Sequence, residues 1–86
     1  MGKHSHRFVE TYKGPVAFGL SREIDEASLI VYLQKLSDDR LMDVLRKRLS
    51  DQEIGQMVDL IADLLQRHLT HQEYHSLFLR EGGEGP

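Results

Sequence analysis

The clearest pattern in the chain lies in its second half. Ile54, Met57, Val58, Ile61, Leu64, Leu65 and His68 recur at spacings of three and four, one continuous stripe on a 3.6-residue helix. Asp51, Asp59 and Asp63 fall away from it. Ser50-Asp51-Gln52-Glu53 reads as a capping box opening this helix: the serine hydroxyl meets the N3 amide and the glutamate reaches back. Thr70-His71-Gln72-Glu73 repeats the box and predicts a short helix over 71–80, carrying Tyr74, Leu77, Phe78 and Leu79. Gly55 lies inside the long helix, where it costs about 1 kcal/mol relative to Ala. A close helix crossing is the compensation it calls for.

Two helices are predicted upstream. Leu29 to Leu33 is apolar on every side, and its flanks lack Gly and Pro, so a central helix is expected at about 24–36. Ser21 and Asp25 are its candidate caps. Ser37 is expected to cap the next helix, where Leu41, Leu45 and Leu49 recur every four residues. Asp38 and Asp39 begin that helix and Arg46, Lys47 and Arg48 end it, each sign at the end the helix dipole favours.

The first twenty residues read differently. Between His6 and Tyr12 the chain is β-rich, Lys13-Gly14-Pro15 signals a turn, and Val16, Phe18 and Leu20 alternate with small residues. The expectation is a β-hairpin, or else an extended arm lying over the helices. The predicted fold is mainly α: a compact bundle of three long helices plus a short fourth, preceded by this hairpin or arm. A flexible start at 1–5, a single domain at 6–80 and a disordered tail at 81–86 complete it.

Composition narrows the function classes. The 86 residues include no cysteine, so disulfides, thiolate metal sites and cysteine nucleophiles are excluded. A domain this small buries only about 60% of its unfolded surface, which raises the value of a partner or a metal. No apolar run reaches the roughly 20 residues of a membrane span. No secretory leader opens the sequence, and a cytoplasmic location is expected. Charge is uneven: residues 1–20 hold three bases and one acid, residues 51–86 two bases and seven acids. Arg40 with Arg46, Lys47 and Arg48 forms the one basic cluster, but the helix that would read a duplex carries Asp59 and Asp63, which phosphate repels.

Three functional expectations follow. The first is a non-catalytic protein–protein interaction or accessory module, a homodimer or a subunit of another protein. Its apolar surplus is Phe8, Tyr12 and Phe18 on the arm, with Leu60 and Leu79 among the off-stripe helix residues. The second is a regulator binding zinc or another divalent metal through His68, His71 and His75, although the helix start at Thr70 interrupts their shared face. The third is a weakly nucleic-acid-binding helical module. No paired carboxylates and no glycine-rich phosphate loop support an enzyme.

Overall fold

The computed structural model describes residues 6–81, and no strand occurs among them. The chain divides into two compact units, 1–48 and 49–86, taken in turn. The expected flexible start lies outside the described residues, as does the expected tail apart from Glu81.

In the first unit, α1 is a single turn, Phe8–Thr11; α2 runs Arg22–Leu36 and α3 runs Asp39–Arg48. The predicted hairpin is therefore corrected. Phe8 and Tyr12 fit the four-residue spacing of a helical turn as well as the alternation of a strand. Their rings stack at 5.2 Å. The next segment cannot form a ladder, because α2 has taken its amides. Ala17 N–H donates to Ser28 Oγ at 2.9 Å and Gly19 N–H to Asp25 Oδ1 at 2.8 Å. Gly19 has a φ of 93°, in the left-handed region a strand residue avoids. Tyr12 folds back so that its hydroxyl donates to Pro15 O at 2.8 Å, and a side chain at Gly14 would collide with that ring.

Polar bonds fix α1 on α2. Val9 N–H donates to Gln34 Oε1 at 2.9 Å, and His6 Nε2 lies 2.6 Å from Ser37 Oγ. Ser21 caps α2 by accepting from Ile24 N–H at 3.2 Å. Ser37 does not cap α3 as expected: its hydroxyl donates to Gln34 O, and Asp38 instead accepts from Arg40 N–H and Leu41 N–H, both at 3.0 Å. The three main helices run to 15, 10 and 18 residues, shorter than the three long helices expected.

Among the described residues, one hydrophobic side chain is buried, Val31, and one polar side chain, Ser28. The apolar run of α2 was expected to sit centrally. Instead Leu29, Tyr32 and Leu33 are each more than half exposed.

The second unit holds α4, Asp51–His68, and α5, His71–Glu73, which passes into a π-helical turn, Tyr74–Phe78. Both capping boxes form with the same geometry, hydroxyl from N3 amide at 3.1 Å and carboxylate from the cap amide at 2.8 Å. The π turn closes when Leu79 N–H donates to Tyr74 O at 3.0 Å, and Glu81 N–H then reaches His75 O at 2.9 Å. Arg80, at φ 59°, makes the left-handed bend that ends it.

Ser28 joins the irregular segment to α2 from a fully buried position. Ser28→Ala is expected to orphan the Ala17 amide and lower stability by about 1–3 kcal/mol, read as a shift in the urea midpoint at unchanged helical circular dichroism.

Candidate functional site

α4 is the longest helix, and the capping box together with four-residue spacing of its apolar groups organises it. Asp63 and Arg67 pair at 3.0 Å on its polar side. The stripe is open to solvent in large part: Ile54, Val58, Ile61 and Leu64 are all exposed, as is Leu60 beside it at 59%. Met57 and Leu65 are half-buried.

The two flanks of this stripe differ. On one, Val58, Ile61 and Leu65 line a groove of about 690 Å³ whose far wall is Leu69, Tyr74 and Phe78. Tyr74 and Phe78 stack at 5.4 Å with their planes 18° apart, so the wall is a flat aromatic face. The π turn makes this arrangement by widening the helix where the two rings lie. On the other flank, Leu60 and Leu64 do not line the groove. By helical spacing Glu53, Met57 and Arg67 lie along that same side.

The sequence-expected interface residues distribute between the units. Phe8 and Tyr12 are half-buried, much of each ring taken up by the other. Phe18 stays exposed and meets Tyr32 edge-on at 5.1 Å. Leu60 and Leu79 are both exposed in the second unit, on different elements. The residues that sequence reasoning passed over are the stripe itself and the Tyr74–Phe78 wall.

The expected metal ligands come together only in part. Leu69 is extended, at φ −115° and ψ 144°, which ends α4 and leaves His68 on a different helix from the other two. The His71 and His75 rings approach to 4.4 Å, and His75 Nδ1 lies 2.7 Å from Glu81 Oε1. Among the described residues no group of three His, Asp or Glu side chains is arranged to hold a metal ion. In the basic cluster, Arg46 and Lys47 pair with Asp43 at 2.9 and 3.7 Å. Among the described residues no helix is long and apolar enough to cross a membrane.

Comparison with known proteins gives no match: no family model, curated protein or solved structure is similar to this chain.

Gly55 opens on empty space, with no atom within 4 Å of where a side chain would begin. The close crossing expected for it is absent from the described structure. Gly55→Ala is therefore expected to raise stability by about 1 kcal/mol in urea unfolding. A loss of similar size would reveal a backbone packed against that position.

Proposed function

We propose that the protein is a non-catalytic association module, a homodimer or an accessory subunit, and that α4 carries its principal adhesive surface. The single observation behind this reading is the exposure of Ile54, Val58, Leu60, Ile61 and Leu64 along one helix. Apolar surface removed from water stabilises by about 25 cal/mol per Å². A row of branched side chains along about three turns of helix is thus a large unrealised stabilisation, and a partner realises it. Scattered exposed leucines need no explanation, but a contiguous row does.

Leu60 keeps the role expected for it. Phe18 and Leu79 remain available as secondary contacts, whereas Phe8 and Tyr12 contribute less because they stack on each other. Asp43 and Asp63 pair with neighbouring cations, and Asp38, Glu53 and Glu73 serve helix starts.

Dilute purified protein is expected to bind the apolar dye ANS. Leu60→Gln with Leu64→Gln is expected to lower that fluorescence by half or more at unchanged helical circular dichroism. A wild-type chain that binds no dye while sedimenting as a monomer has covered its own faces, and the reading then fails.

A further inference from the structure

We infer that the occupant of the open α4 flank is the same flank of a second copy of this chain, lying antiparallel. This rests on the association reading above and adds the identity and direction of the partner. The flank reads Glu53, Met57, Leu60, Leu64, Arg67, spaced four, three, four and three. Its two ends are symmetric: Glu53 and Arg67 each lie seven residues from Leu60. Turned about a two-fold axis at Leu60, the ends and the centre of the row coincide: Leu60 lies beside Leu60 of the second copy, and Met57 comes within one residue, about 1.5 Å, of facing its Leu64. Glu53 and Arg67 end the row about 21 Å apart at 1.5 Å per residue, and each meets its opposite charge.

The charges exclude the other direction. A parallel pair sets Glu53 against Glu53 and Arg67 against Arg67, a like-charge contact at each end. The antiparallel pair replaces both with acid–base contacts and opposes the two helix dipoles. Both end groups keep capacity for this. Glu53 uses Oε1 in the capping box, and Arg67 gives Nη1 to Asp63. The second carboxylate oxygen and the other guanidinium donors can serve the facing copy. The groove side of α4 is left to Tyr74 and Phe78, so the two copies and the C-terminal turn do not compete for the same side chains. A two-fold contact of one patch with itself is the commonest way soluble chains pair.

The chain has no cysteine, so introduced thiols report the geometry directly. Under oxidised glutathione, Leu60→Cys is expected to form a disulfide with its own copy. Met57→Cys and Leu64→Cys are expected to cross-link in a mixture and hardly at all alone. In sedimentation equilibrium the wild type is expected to be a dimer, and Arg67→Glu to weaken it about tenfold, two lost surface pairs and two new repulsions. Glu53→Gln, which keeps the capping box, is expected to recover part of that loss in the Arg67→Glu background. Self-linking by Met57→Cys and Leu64→Cys alone would mean a parallel pair and overturn the inference. A wild type that stays monomeric overturns it too. If that monomer binds ANS, the association reading survives with a different partner; if it binds none, both fall.

Discussion

A helix persists in water only when something covers its apolar face, and that condition governs everything in this chain. Isolated helices shorter than about 12–15 residues are marginal even with favourable composition. α3 has ten residues, and α5 with its π turn fewer still. Caps help: Ser50 and Thr70 each contribute on the order of 1 kcal/mol. Exposed ion pairs such as Arg22–Glu26 at 2.6 Å contribute little, even though the hydrogen bond and the charge of Glu26 raise the Arg22 pKa further. Local devices therefore decide where helices begin and end. Covering the faces decides whether they last, and Val31 is the one hydrophobic side chain buried among the described residues.

The first unit shows how a small chain holds a segment without much apolar burial. Its fixings are side-chain acceptors on α2, Asp25, Ser28 and Gln34, each taking a backbone amide of the preceding segment. Such bonds are directional and set a register. Their net worth is about 1 kcal/mol each, and they fail together when one acceptor goes unsatisfied in a dry position. This is why buried Ser28, and not an aromatic, is the sensitive point of the unit. Phe8, Tyr12 and Phe18 then settle into ring contacts that the polar bonds have already aligned.

What could be read from the residues was whatever depends on near neighbours. The boxes at Ser50 and Thr70 were legible because a cap is a rule over four residues. Ser21 was legible for the same reason. Ser37 was misread, because its hydroxyl is spent on Gln34 O and on His6, thirty-one positions away. The hairpin was misread because Phe8 and Tyr12 satisfy two periodicities at once, and the deciding bonds span 11 and 25 positions. The stripe on α4 was plain in the sequence, but a hydrophobic period states only that a face wants cover. It does not state what supplies it. Which flank stays open depends on where the chain goes after Leu69, and on a π turn at Tyr74 that no local signal announces.

In the proposed pairing, adhesion and specificity fall to different groups on α4. Leucine and isoleucine gain by leaving water against almost any apolar surface, so alone they would favour indiscriminate clustering. Gln56, Asp59 and Asp63 are exposed beyond the edge of the row away from the groove, which limits apolar contact on that side. The charges at the ends then select direction. Glu53 and Arg67 are worth little as attraction across a solvated rim, and their larger effect is the penalty on a misaligned pair. Moving a facing helix by one turn would carry each charge about 5.4 Å from its opposite and take Leu60 away from its counterpart. In that proposed pairing the leucines supply the driving force and the two end charges the register, so a five-residue row on an 86-residue chain specifies one partner and one orientation.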